Sequence, residues 1–81
     1  MKHVLVAVYD LKALEYSAPF MQRSLAEATR SFTAEVNADK PGNMLFSNPE
    51  DFQLHHVADW YPATGDIEPT GVLIVSASSL K

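Results

Sequence analysis

The stretch His3-Val4-Leu5-Val6-Ala7-Val8-Tyr9 decides the fold. It is short, rich in β-branched residues and apolar at both parities, the pattern of a strand covered on both faces at the centre of a sheet or at an interface. Asp10 ends the run. From Asp10 to Ala18 the polarity is mixed, and the ring of Pro19 disfavours helix at Ala18, so this segment reads as a connection.

Downstream, Ser24-Leu25-Ala26-Glu27 has capping-box spacing: the Ser24 hydroxyl accepts from the amide of residue 27 while the Glu27 carboxylate reaches back to the Ser24 amide. A helix of about 13 residues is predicted from there, with Leu25, Ala28, Phe32 and Val36 on one stripe and Arg23, Glu27, Arg30 and Ala34 nearly opposite. Asn37, Asp39, Pro41 and Gly42 stop it. Met44-Leu45-Phe46 reads as an apolar anchor. Asn48 then suits an N-cap and Pro49 a first helical position, with Glu50 and Asp51 in a single helical turn.

Gln53 to Tyr61 alternates as a half-exposed strand. Pro62-Ala63-Thr64-Gly65-Asp66 is a turn, after which Ile67 and its neighbours return as a hairpin partner that Pro69 confines to an edge or cuts short. Gly71 opens Val72 to Ala77, a last strand apolar on both faces. No internal repeat or linker appears. The expected fold is one α+β domain over residues 1–81: a small mixed or antiparallel sheet of three to four strands with one amphipathic helix packed on a face.

With 81 residues, 47% of them apolar, the chain is too short for two ordinary domains. At this size folding buries only roughly 60 to 65% of the unfolded surface, so the core is thin. Without cysteines, disulfides and thiolate metal sites are excluded, which leaves self-association as the means of covering apolar surface. A homo-oligomer is expected. Six basic against ten acidic side chains give a net charge of −4, and the basic residues are dispersed, which argues against an obvious nucleic-acid footprint. The opening apolar run is far short of the roughly 20 residues that cross a bilayer, and no signal-peptide pattern follows it. No membrane contact is expected.

Val8-Tyr9-Asp10, Pro19-Phe20, the Arg30-x-Phe32 pair within the helix, Asn48-Pro49-Glu50-Asp51-Phe52-Gln53-Leu54 and Thr64-Gly65 stand in an order and spacing that resemble one family. It is the small nonstructural protein of gokushoviruses, the single-stranded DNA phages of the Microviridae. The resemblance covers roughly residues 4 to 67. It departs at Ala58-Asp59-Trp60-Tyr61, where the family usually has a glycine followed by an acidic-aromatic-Asp run. It implies a viral nonstructural DNA-binding protein in the host cytoplasm, the counterpart of the microvirus C protein, which helps switch genome replication from duplex copies to single strands for packaging. The implied partner is single-stranded DNA, the viral replication complex, or both.

Binding single strands without sequence preference needs cations along a groove and aromatic faces for stacking. The candidates are Lys2, Lys12, Arg23, Arg30 and Lys40 as phosphate partners, with Tyr61, beside Pro62 at a turn, as the exposed ring. Tyr9 and Tyr16 are further platforms, as is Trp60, although Tyr9 at a strand end and Trp60 at the Leu54 parity read first as core. Arg23 and Arg30 flank Glu27 at helical spacing, so an ordinary solvated charge stripe competes with a phosphate clamp. Because neutralised phosphates supply most non-specific affinity, so anionic a chain needs assembly to gather its cations on one surface.

Other chemistries are poorly supplied. His55 and His56 are adjacent on a predicted strand and point to opposite faces, so they cannot share an ion; His3 and His55 can meet across strands, but without a third ligand, and polar surface histidines are the simpler reading. Glu50 and Asp51 suit the helix dipole. The serines lack a nucleophile elbow, and Gly42, Gly65 and Gly71 stand too far apart to cradle a phosphate. The expectation is a non-enzyme without metal or cofactor. Two alternatives stay open: an adaptor to replication or capsid proteins that never touches DNA, and, more remotely, a metal-dependent nuclease using Glu50, Asp51 and His55.

Overall fold

The computed structural model describes residues 1–81. It has five strands and one main helix: β1 (His3–Asp10), β2 (Glu15–Tyr16), β3 (Phe20–Gln22), α1 (Leu25–Val36), a short α2 (Met44–Ser47), a 3-10 turn (Pro49–Asp51), β4 (Phe52–Tyr61), β5 (Asp66–Ser76) and a terminal 3-10 turn (Ala77–Leu80). All pairings are antiparallel. β1 lies between β4 on one side and β2 and β3 on the other, and β5 pairs with β4. The apolar opening strand is therefore central, but it is not covered on both faces as expected, since α1 lies on one face alone.

The sheet has five strands rather than three to four because the segment read as a connection contributes pairs of its own. Asp10 makes this possible. Its Oδ1 accepts from the amides of Lys12 and Ala13 while its carbonyl accepts from the Leu14 amide, which turns the chain back so that Tyr16 pairs with Tyr9. Leu14 pivots the turn at φ 60°, in the left-handed region that a branched side chain disfavours. After Pro19, Phe20 to Gln22 pair with Val6 to Val4.

α1 begins as predicted, the Ser24 side chain accepting from the Glu27 amide at 3.2 Å. The box is only half formed, since the Glu27 carboxylate turns to Arg23 instead of back to Ser24. Ala28, Phe32 and Val36 are buried; Leu25, expected on the same stripe, is exposed. Met44–Ser47 forms a helical turn capped by Asn43, which the sequence did not announce, and Pro49–Asp51 is the predicted single turn.

The two C-terminal pieces expected on either side of Pro69 are one strand. β5 runs along the sheet edge, where the missing proline amide costs no ladder bond, and register shifts opposite Val57 and His55 absorb the irregularity near Gly71, which sits at φ +66°. Val72 and Leu73 are exposed, against the expectation of a strand covered on both faces, because β5 lies at an edge and α1 covers one face alone.

That one-sidedness organises the molecule. Val4, Val6 and Leu54 turn toward α1 and form the core with Ala28, Phe32, Val36 and Ala77; Val8, Leu45, Phe52, Ile74, Val75 and Leu80 pack around it. Directly opposite residues share a face, so the register places Leu5, Ala7 and Tyr9 on the other side, with Met21, Tyr16, His55, Ala58, Trp60, Ile67 and Leu73. No helix covers them. Only ten of the 81 residues are buried.

Candidate anion groove and the helix-free sheet face

Arg23 lies just before α1 and Arg30 within it; the ion pair of Arg23 with Glu27, three positions before Arg30, keeps both guanidinium groups on one flank of the helix. The antiparallel register that sets Gln22 beside Val4 brings the start of β1 to that flank. Between them is an open groove of about 460 Å³ lined by His3, Met21, Gln22, Arg23, Glu27, Arg30 and Ser31. Arg23 reaches Glu27 at 3.2 Å, whereas Arg30 is exposed and has no carboxylate within ion-pair distance. The two arginines and one glutamate leave the groove one uncompensated cation with guanidinium donors, the chemistry that receives a phosphate or carboxylate.

The other candidates go elsewhere. Lys2 donates to Asp59 Oδ2 at 3.1 Å, and Lys40 lies 3.5 Å from Glu35. Lys12 stands exposed on the turn after β1 without an ion pair. Tyr61, expected exposed, is half-buried at the end of β4. Lys81, not singled out from sequence, donates to the Phe46 carbonyl and sits 3.6 Å over its ring. Of the six named residues, the groove gathers Arg23 and Arg30.

Asp59 is the one buried acid. Burial alone pushes its carboxyl up, but the hydrogen bonds from His56 (2.8 Å) and Lys2 outweigh that and hold it below the usual range. In return, the Asp59 hydrogen bond and charge raise the Lys2 pKa. His56 is thus an interior partner of Asp59, not the surface histidine expected. His55 does point to the opposite face. His3 and His55 do not meet: they pair with Trp60 and Ala7, four positions apart on β1.

On the helix-free face the rings of Tyr9 and Tyr16 approach to 4.7 Å, and the Tyr16 hydroxyl lies 2.9 Å from His55 Nδ1. His55 Nε2 lies 3.0 Å from Gln53 Oε1. The amide oxygen only accepts, so Nε2 carries the proton and Nδ1 accepts from Tyr16. Burial lowers the His55 pKa, in keeping with this neutral ring. Tyr9 and Trp60, read as core, are half-buried on this face instead. Between Tyr16 and β5 is an apolar depression of about 470 Å³ floored by Ala7, Val57, Pro69 and Gly71.

Glu50 and Asp51 sit in the 3-10 turn while His55 is held by Tyr16 and Gln53, so the nuclease triad does not converge. No three His, Asp or Glu side chains are grouped to hold a metal ion. No helix is long and apolar enough to cross a membrane.

Sequence reasoning missed His3, Gln22 and Ser31 as groove residues. The seven-residue spacing of the arginines was visible; the approach of β1 depends on strand pairing. No curated protein and no solved structure matches the chain. Residues 3–80 match the model of the phage ORF5 protein family, nearly the whole sequence and every element of the fold, and the chain belongs to that family.

Proposed function

We propose that this phage protein is the small nonstructural DNA-binding protein of a gokushovirus-like single-stranded DNA phage. It acts stoichiometrically in genome replication or packaging in the host cytoplasm, and not as an enzyme. The observation that carries the reading is the groove holding Arg23 and Arg30, with the Arg30 guanidinium unpaired. The order of motifs from Val8-Tyr9-Asp10 to Thr64-Gly65 supports the narrower family. One free guanidinium per chain is a weak phosphate site alone, so the reading requires copies to be joined, each contributing its groove. Fluorescence anisotropy of labelled single- and double-stranded oligonucleotides at low salt tests it. Salt-sensitive binding is expected, and no binding by the assembled protein overturns it.

A second reading, an adaptor to replication or capsid proteins without DNA contact, is supported by the net charge of −4 and by the engagement of Lys2, Arg23, Lys40 and Lys81 inside the fold. Pull-down from infected cells after nuclease treatment separates the two: an adaptor keeps its partners, and a DNA-bridged protein loses them.

A further inference from the structure

The geometry points to the helix-free face of the sheet as the surface on which two copies of this chain pack, sheet against sheet. The inference deepens the assembly part of the preceding reading and depends on that reading only there.

The face is apolar and open. Tyr16, Met21, Ile67 and Leu73 are exposed by 47%, 48%, 61% and 49%, alongside half-buried Leu5 and Trp60. The polar members of the face are His3, Gln53, His55 and Ser76, and none of them is an acid. α1 layers one face of the sheet, the chain buries only ten residues in all, and a layer on the other face would have to come from outside.

Charge identifies the second layer. The register turns Asp10, Glu15, Asp59, Asp66 and Glu68 to the helix side, and the other five carboxylates lie on α1, the segment after it and the 3-10 turn. A molecule of net charge −4 thus keeps every acid off one face, so two copies approach there without like-charge repulsion. The Lys and Arg side chains are absent from it too: Lys2 turns to Asp59, Lys12 lies on the end turn, and the rest sit on the helix side. A nucleic-acid platform would need those cations.

Size and shape agree. β1, β4 and β5 have 8, 10 and 11 residues and β2 and β3 only two and three, so the face covers about 540 Å² and two copies bury roughly 1,100 Å², at the low end of specific interfaces. The depression over Ala7, Val57, Pro69 and Gly71 gives a protruding aliphatic side chain of the partner a place to sit, and a two-fold axis repeats the contact. Such a dimer leaves Arg23, Glu27 and Arg30 outward, with Met21 on the border between the groove and the interface.

Sedimentation velocity and native mass spectrometry of the full chain without nucleic acid, from about 1 to 100 µM, test the inference. A particle of twice the 8.9 kDa chain mass is expected. Leu73→Glu and Met21→Glu, each folded by circular dichroism, should weaken it at least tenfold, and Ala34→Glu on the exposed side of α1 should not. Hydroxyl-radical labelling of the unmodified protein needs no variant: rising concentration should protect Met21 and leave Met44, similarly exposed, unchanged. A single 8.9 kDa species throughout, or protection of Met44 in place of Met21, overturns the interface. So does a monomer whose oligonucleotide affinity is lost in Leu73→Glu, which would make the face a nucleic-acid platform. Protection of Met44 in place of Met21 fails this interface alone, whereas a single 8.9 kDa species also removes the assembly that the DNA reading requires, which the oligonucleotide titration then tests directly.

Discussion

The ammonium of Lys2 lies 3.1 Å from the carboxylate of Asp59, one of the ten buried residues and the only acid among them. With His56 on the other oxygen, no buried side-chain polar atom is left without a partner. Asp59→Ala should cost about 2–3 kcal/mol in urea denaturation, because the His56 ring is left without its acceptor inside the fold. Lys2→Met should cost less, its head group reaching water. Asp59 has a depressed folded pKa, so its contribution is complete above the unfolded value of about 3.9 and is lost as pH falls through the lower folded value. Lys2, raised, contributes below about 10.4 and loses that contribution as pH rises through its folded value.

Tyr16 and His55 form the second titrating contact, and its sign at acid pH is the same. Because burial lowers the His55 pKa, protons bind the unfolded chain more readily. Stability should decline as pH drops below about 6.5 and through the folded value. Tyr16→Phe should cost about 1 kcal/mol at neutral pH, the loss of one hydrogen bond, with the ring packing kept. Chemical denaturation at pH 7 and pH 5 checks both statements. A His55 imidazole that titrates by NMR above 6.5 would contradict them.

The two groove arginines should separate in an oligonucleotide titration. Arg30→Ala removes the uncompensated guanidinium and should weaken binding several-fold while lowering the salt slope by about one. Arg23→Ala should do less, since its loss also frees the Glu27 carboxylate in the groove. Equal effects of both variants would show that the ion pair opens on binding.

Two turn residues should respond in opposite directions. Gly65 closes the β4–β5 hairpin at φ +79°, its amide donating to the Tyr61 carbonyl at 2.7 Å, and Gly65→Ala should cost about 1 kcal/mol. Leu14, at φ 60° and 72% exposed, is the reverse case. Leu14→Gly should stabilise by about 0.5 kcal/mol because it relieves a left-handed leucine and buries nothing less. Thermal melts of the two variants suffice.

What could be read before the structure was local. The double-sided run from Val4 to Val8 announced a central strand, Ser24 announced the helix start within one residue, and Asn48-Pro49 announced the turn before β4. Each rests on contacts among near neighbours, and sequence spacing encodes those. The pairing of Glu15–Tyr16 and Phe20–Gln22 with β1 was not legible, because two- and three-residue strands carry no periodicity and owe their form to the turn at Asp10 and to the partner strand. The same reason accounts for the site. The arginine spacing was visible, but the arrival of His3 beside them, the engagement of Lys2 by Asp59 and the exclusion of all ten carboxylates from one sheet face follow from register.

By itself, then, the sequence determined the α+β class, the central strand, the helix and its buried stripe, since hydrophobic period and capping act over a few residues. Tertiary structure alone decided which cations stay free and which apolar face stays bare. Both depend on how strands far apart in the chain line up, and a one-residue slip would exchange every side chain between the two faces.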